Sequence, residues 1–392
     1  MFMDMKTSHR TSRVLIVAGE ASGDRYGARL VSQLQLLHGT RAIEFFGTGG
    51  DDMEKAGVHL LCHIRELAHI GPTEALSSLR TYYRTFRHLS SESSVRRPDV
   101  AILLDFPEFN LRLAKKMKRL GVTVIYYISP QIWAWRSGRL RTIQQCVDKM
   151  LVILPFEEDY YRKCGVDVEF VGHPLLEDFS PNYNREAFLS GLGLDPAART
   201  VAILAGSRNR EIDYILPILL RAAKFILKET PAQFLISAAP TVEQGRIRKI
   251  MEDLLRGDSN EKLFRILKRN SKDILANADF ALVKSGTSSL EAALVGTPFL
   301  ITYKISSISW LIGSALIRSP MKGLVNLIAR ETIVPELFQG EAKPQELARV
   351  ALQYLESPEE SAAMRVRLSK IREQLSMRCA SETAAATVSS YL

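Results

Sequence analysis

The sequence predicts an α/β protein built from two doubly wound parallel sheets. Three observations carry that prediction. Short apolar, β-branched runs alternate with stretches of helical period from end to end. The apolar runs are continuous instead of alternating with polar residues, as expected for strands covered on both faces. A polar stretch, Glu177–Arg199, holding Pro181, Asn182, Asn184 and Pro196, divides the alternation into two series. Two Rossmann-like domains facing a cleft is the most economical architecture for such a chain.

In chain order, the first series reads as strands Val14–Val17, Ile43–Phe46, Val100–Leu104, Val122–Ile128, Met150–Leu154 and Val168–Val171. Helices such as Asp24–Leu37 and Asn110–Leu120 lie between them. The second series reads as strands Val201–Leu204, Phe234–Ser237, Leu263–Ile266, Phe280–Val283 and Phe299–Thr302, again with helices between. Beyond Pro344 only helical period remains. The expected domains are residues 13–178, residues 196–345 and a C-terminal helical segment, 346–392.

Composition narrows the class. Hydrophobic residues are 46% and charged residues 24% of 392, which excludes bulk disorder and coiled coil. The excess of 52 Lys+Arg over 43 Asp+Glu gives +9 and calls for an anionic partner: nucleic acid, acidic lipid or a phosphorylated metabolite. The four cysteines lack Cys-x-x-Cys spacing, arguing against a disulfide scaffold or zinc site and fitting a reducing cytosol. Met1–Ser12 has no apolar core of a signal peptide. The longest uncharged run, Leu120–Trp135, falls short of ~18 apolar residues and contains Pro130, so no spanning helix is expected.

In open parallel sheets ligands sit beyond the carboxyl ends of the strands, so the loops there are the places to look. Gly19-Glu20-Ala21-Ser22-Gly23-Asp24 follows the first strand. It reads equally as a turn through which backbone approaches a ligand, or as a tight strand-to-helix turn capped by Ser22 or Asp24. Gly47-Thr48-Gly49-Gly50 has the same character, with the plain turn favoured. Leu104 delivers Asp105 at a strand end, where a partly desolvated carboxylate is either a general base or a turn cap.

Two of three tryptophans sit in Ser129-Pro130-Gln131-Ile132-Trp133-Ala134-Trp135-Arg136, beside Arg139 and Arg141, and core packing of at least one is expected. His173, in Val171-Gly172-His173-Pro174, has no second His or Cys nearby and reads as structural. Asp167 and Glu169 alternate with apolar residues as an exposed strand face does. In the second half, Gly206-Ser207-Arg208 and Ser285-Gly286-Thr287-Ser288 open helices after apolar strands. Each suits an anion, and together they favour a nucleoside diphosphate held by backbone and Arg without a metal, with Glu291 placed to accept from a sugar diol.

The segments 19–24, 129–136, 171–174, 206–208 and 285–287, with Asp105-Phe106-Pro107-Glu108-Phe109-Asn110, Leu154-Pro155-Phe156-Glu157, Leu290-Glu291 and Val334-Pro335-Glu336-Leu337, resemble the lipid-A-disaccharide synthase family, in family order from about residue 13 to about residue 350. The resemblance implies an inverting, metal-independent glycosyltransferase of the B fold. It would transfer 2,3-diacylglucosamine from UDP-2,3-diacylglucosamine to 2,3-diacylglucosamine 1-phosphate (lipid X). Asp105 matches the family's proposed general base, in an acceptor-side first domain. Arg208, Glu291 and Asn326 match positions on the nucleotide-sugar side, in a UDP-sugar-binding second domain. Gly19, Glu20, Ser22, Gly23, Gly206, Ser207, Ser285, Gly286 and Thr287 complete the expected substrate-binding set; no cofactor and no metal is expected.

Three departures stand out: Tyr126 replaces a usual His, Ala205 a usual Pro, and Lys284 a usual small residue. Both substrates carry acyl chains, which implies peripheral attachment to an anionic membrane surface, on the cytoplasmic face of the inner membrane. Arg80, Arg84 and Arg87 on one helix, or Ile305–Ile317 with Trp310, would provide it. Nucleic acid is not expected, for want of any binding signature, and self-association is left open. The competing readings are a nucleotide-sugar epimerase and a non-catalytic basic membrane-binding module.

Overall fold

The computed structural model describes residues 11–39, 42–68, 75–133, 137–177, 179–268, 270–304 and 323–392. It contains two compact units: residues 1–178 with 375–392, and residues 179–374. Each is a parallel sheet with helices on both faces.

Unit 1 holds seven strands: β1 (Ser12–Val17), β2 (Ile43–Gly49), β3 (His59–His63), β4 (Val100–Leu104), β5 (Thr123–Tyr127), β6 (Lys149–Val152) and β7 (Val168–Phe170). Their order is β3-β2-β1-β4-β5-β6-β7, and every pairing is parallel. The continuous apolar runs divide by the two-residue strand period. Leu15, Val17, Ala101, Leu103, Val124 and Tyr126 enter one core layer. Val14, Ile16, Val100, Ile102, Leu104, Ile125 and Tyr127 enter the other.

That second layer is closed by Ala384, Ala385 and Val388, from the helix Ala380–Ser389 at the far end of the chain. Polar bonds fasten the returning segment. Arg378 donates to the Phe170 carbonyl at 2.7 Å, the Thr387 hydroxyl donates to Glu169 at 2.9 Å, and Ser389 Oγ lies 2.9 Å from His38 Nε2. Glu169 thus anchors structure, and Asp167 pairs with Lys149 at 2.8 Å.

Unit 2 holds β8 (Thr200–Leu204), β9 (Gln233–Ser237), β10 (Phe264–Leu267), β11 (Phe280–Lys284), β12 (Phe299–Tyr303) and β13 (Glu336–Phe338), in the order β10-β9-β8-β11-β12-β13. The helix Asn209–Glu229 covers one face with Ile212, Ile215, Leu216, Leu219, Leu220 and Ile226 fully or almost fully buried. Two strands escaped the sequence reading, β3 and β13. The first is half-buried and the second only three residues long, so neither forms a continuous apolar run.

Both sheets reverse strand order once, β1 beside β4 and β8 beside β11. The loops after these four strands are Gly19–Ser22, Asp105–Phe106, Gly206–Arg208 and Ser285–Thr287. They are the loops singled out by composition, and each pair flanks the place where the helices diverge to opposite faces.

Candidate active site

In unit 1 the chain leaves β4 through two consecutive left-handed residues, Asp105 (φ 43°) and Phe106 (φ 49°). Neither is glycine, so this turn is strained and must be held by its surroundings. Four hydrogen bonds hold it. The Asp105 N–H donates to the Tyr127 carbonyl at 3.0 Å. The Tyr126 hydroxyl donates to the Asp105 carbonyl at 2.6 Å, and Asn110 Nδ2 donates to the carbonyls of Asp105 at 2.9 Å and Leu104 at 3.0 Å. Asn110 therefore ties the turn shut; Pro107 opens the helix Pro107–Arg119, three residues earlier than read from sequence.

Phe106 explains Gly19. A Cβ at Gly19 would overlap the Phe106 ring, so residue 19 has to lack one. The ring lies 5.4 Å from Phe109 and 5.5 Å from Tyr82. The Asp105 carboxyl is pushed up from 3.8 to about 6, first by burial and second by the Glu20 carboxylate, against a bond from the Phe106 N–H. A carboxyl poised there changes charge close to neutrality, as a general base requires.

The Gly19–Asp24 turn resolves into separate duties. Glu20 is exposed at the start of the helix Ala21–His38, and neither Ser22 nor Asp24 caps that helix. Asp24 caps the next one, Asp51–Lys55, accepting from the N–H groups of Gly50 at 2.7 Å, Met53 at 3.0 Å and Asp52 at 3.2 Å. Gly23 is buried, and a Cβ on it would lie 3.2 Å from that of Ala18. Ser22 is half-buried beside it.

The loop after β5 is held by a residue that carried no role in the sequence reading. Glu157, 2% exposed, accepts from Ser129 Oγ at 2.8 Å, Trp133 Nε1 at 3.0 Å and the Leu154 N–H at 3.3 Å. Burial pushes its carboxyl up to about 7 against these bonds. The signal was legible: Pro155 followed by Glu157 is a helix start with Glu at the third position. Trp133 meets Phe156 edge-on at 4.9 Å, the packing role expected of one tryptophan; residues 134–136, with Trp135 and Arg136, lie outside the described residues. His173 is buried, its Nδ1 accepts from the Leu175 N–H at 3.2 Å, and burial lowers it to about 4, so it stays neutral and structural.

In unit 2, Ser207 and Arg208 are exposed at the start of the helix Asn209–Glu229, and Gly206 has φ 126°. Ser285 and Gly286 are half-buried and Thr287 exposed at the start of the helix Thr287–Val295. Helix starts leave backbone N–H groups without i−4 partners, which suits both turns to an anion, although the Ser207 N–H is taken by Glu211 Oε2 at 3.0 Å and the Ser289 N–H by the Gly286 carbonyl at 3.1 Å. Glu291, one turn in, accepts from Ser271 Oγ at 2.7 Å. Asn326 is fully buried and its amide is fully used. Nδ2 donates to Glu336 Oε1 at 2.7 Å and the Val334 carbonyl at 2.9 Å, while Oδ1 accepts from the N–H groups of Ile333 at 2.9 Å and Val334 at 3.0 Å. It shapes the 333–336 segment and offers no bond outward.

The helix Ala75–Arg96 carries Arg80, Arg84 and Arg87 on its exposed face with Tyr83, which is 63% exposed. The Arg87 guanidinium stands 5.8 Å over the Tyr83 ring, and Arg84 pairs with Glu66 at 3.4 Å. The opposite face sends Tyr82 and Phe86 against Phe109, and Tyr82 against Phe106. Residues 305–322, with Trp310 and the segment Ile305–Ile317, lie outside the described residues. Among the described residues no helix is long and apolar enough to cross a membrane.

Comparison with known proteins bears on the fold and on the family. The solved UDP-GlcNAc 2-epimerase from Neisseria meningitidis, bound to UDP-GlcNAc, superposes with TM-score 0.64 at 13% identity, covering 96% of this chain and 98% of that one. CalG4, the calicheamicin glycosyltransferase, gives 0.61 at 14% identity and 98% coverage of both. These likenesses establish the fold, that of B-type glycosyltransferases and nucleotide-sugar epimerases. Sequence separates the two. Lipid-A-disaccharide synthase of Syntrophus aciditrophicus (strain SB) is 43% identical over 373 residues, 95% of this chain and 96% of its relative. The family described as lipid-A-disaccharide synthetase matches residues 14–389, and the chain belongs to it.

Proposed function

We propose that the protein transfers 2,3-diacylglucosamine from UDP-2,3-diacylglucosamine to 2,3-diacylglucosamine 1-phosphate. The products are UDP and the β-1,6-linked disaccharide phosphate from which lipid A is made. One observation carries the mechanism: a carboxyl at a strand end, set near 6 and locked in a strained turn. Asp105 takes the proton of the acceptor hydroxyl as its oxygen attacks the anomeric carbon. The bond from that carbon to the UDP oxygen breaks on the opposite face, which inverts the configuration. UDP leaves with its bonding pair, and the diphosphate charge falls to Arg208, the Ser207 N–H and the helix start at Gly286 and Thr287. Glu291 receives the ribose hydroxyls, and Asn326 acts by holding the 333–336 segment in place.

The test is UDP release on mixing protein, UDP-diacylglucosamine and lipid X. Release that needs both substrates is expected. Release without lipid X, or interconversion of sugar epimers, would overturn the reading. Because the charge is met by Arg208 and backbone, turnover is expected to survive EDTA. Abolition by EDTA, with restoration by magnesium, would contradict that part.

Membrane attachment belongs to the same proposal. The Arg80–Tyr83–Arg84–Arg87 face supports it, since each cation near anionic lipid contributes ~1 kcal/mol and the opposite face packs against Phe106, next to the base. Co-flotation with anionic vesicles is expected at low salt and should weaken on replacing the three arginines by alanine. A protein that stays off such vesicles in both forms would refute attachment.

A further inference from the structure

A shielded charge pair joins the two helix-opening turns of unit 2. Lys284, the last residue of β11, is 83% shielded and its Nζ lies 2.9 Å from Glu211 Oε1. The other oxygen of Glu211 accepts from the Ser207 N–H at 3.0 Å. Glu211 thus spans the two anion-ready turns. It holds the backbone donor of one, while its partner ammonium stands 3.4 Å from where a Cβ on Gly286 would be, at the start of the other. Room for the carboxylate exists only because residue 206 is glycine; a Cβ there would overlap it. Tyr303 closes the remaining side, with Nζ 5.2 Å above its ring.

A carboxylate bound by a backbone N–H and an ammonium occupies what a phosphate oxygen would occupy. We infer that Glu211 is an internal competitor for the diphosphate seat, and that Lys284 is an affinity-determining residue which passes from Glu211 to the ligand diphosphate. The exchange is one anion for another, with no covalent change. Glutamate three residues after a helix N-cap is common as a capping device. That alone would account for the Ser207 bond, but not for a shielded ammonium on the second oxygen. The inference rests on unit 2 being the UDP site.

Calorimetric titration of the full chain with UDP and with uridine, at low and high salt, tests it. Glu211→Gln keeps the cap shape and removes the charge, so UDP should bind about tenfold tighter. Lys284→Ala should weaken UDP about tenfold and uridine little, with a shallower salt dependence. The double variant decides the role of Lys284. A direct contact predicts that Lys284→Ala still costs UDP affinity in the Glu211→Gln background. If Lys284 only neutralises Glu211, that loss vanishes and the lysine assignment falls. Unchanged or weaker UDP binding by a folded Glu211→Gln would overturn the competition itself, with thermal melting of each variant reporting folding. A wild-type chain that binds no UDP would refute the placement of the nucleotide and this inference with it.

Discussion

Asp105→Asn is expected to lose at least ~100-fold in turnover while becoming more stable. Asparagine keeps the shape, accepts the same N–H bond and tolerates the left-handed backbone at φ 43°. What it lacks is basicity. The stability gain follows from the direction of the shift: the folded carboxyl holds its proton to about 6, against 3.8 as the ordinary value. The folded state therefore binds more protons than the unfolded one between those values, and wild-type stability falls as pH rises through that window. The loss is complete above about 6 and amounts to at most ~3 kcal/mol at ~1.4 kcal/mol per unit. The variant should match wild type below about pH 4 and melt higher at pH 8. Wild-type activity should fall on acidification through about 6. Glu20→Gln should move that limb to lower pH by removing the second cause of the shift. Near-normal turnover by the asparagine variant would remove Asp105 as base; equal melting at pH 8 would remove the burial argument.

Gly47→Ala should destabilise unit 1 by more than ~3 kcal/mol, visible as loss of soluble protein or a large drop in melting temperature. Gly47 has φ 153°, pairs with Ile16 in the β1–β2 ladder, and marks the point where the β2–β3 register shifts. A Cβ on it would overlap the Ile16 carbonyl oxygen in the middle of the sheet. Backbone cannot rotate aside as a side chain can, so the ladder must open. A variant melting within a few degrees of wild type would show that the bulge relaxes.

What could be read in advance, and what could not, follows the range of the interactions involved. Local pattern sufficed for the strands buried on both faces, because continuous apolar runs alternating with stretches of helical period have few other uses. It also sufficed to place Asp105, Gly206–Arg208 and Ser285–Thr287 at strand ends. Local pattern could not assign duties within a turn. Either Ser22 or Asp24 could have capped its own helix, but the partners of Asp24, Gly50, Asp52 and Met53, are supplied by the next one. Gly19 was open between a ligand approach and a tight turn, and the structure gives it a steric reason, the Phe106 ring 87 residues on. Asn326 matched a nucleotide-side position, yet the backbone of residues 333 and 334 uses both lone pairs of its amide oxygen. Lys284 was visible as a departure, but its partner Glu211 lies on another element.

Unit 1 is interrupted in the chain: its sheet is encoded before residue 178, and the helix that seals one core layer comes after residue 375. On the ribosome, therefore, unit 1 of a nascent chain must wait, with Val14, Ile16 and Leu34 lacking the cover of Ala384, Ala385 and Val388. Unit 2, contiguous from 179 to 374, can finish folding first. The part of the molecule made earliest is the part completed last. A chain stalled or cleaved just short of Ala380 would have a finished unit 2 and an unsealed apolar layer in unit 1, a state suited to capture by chaperones and proteases.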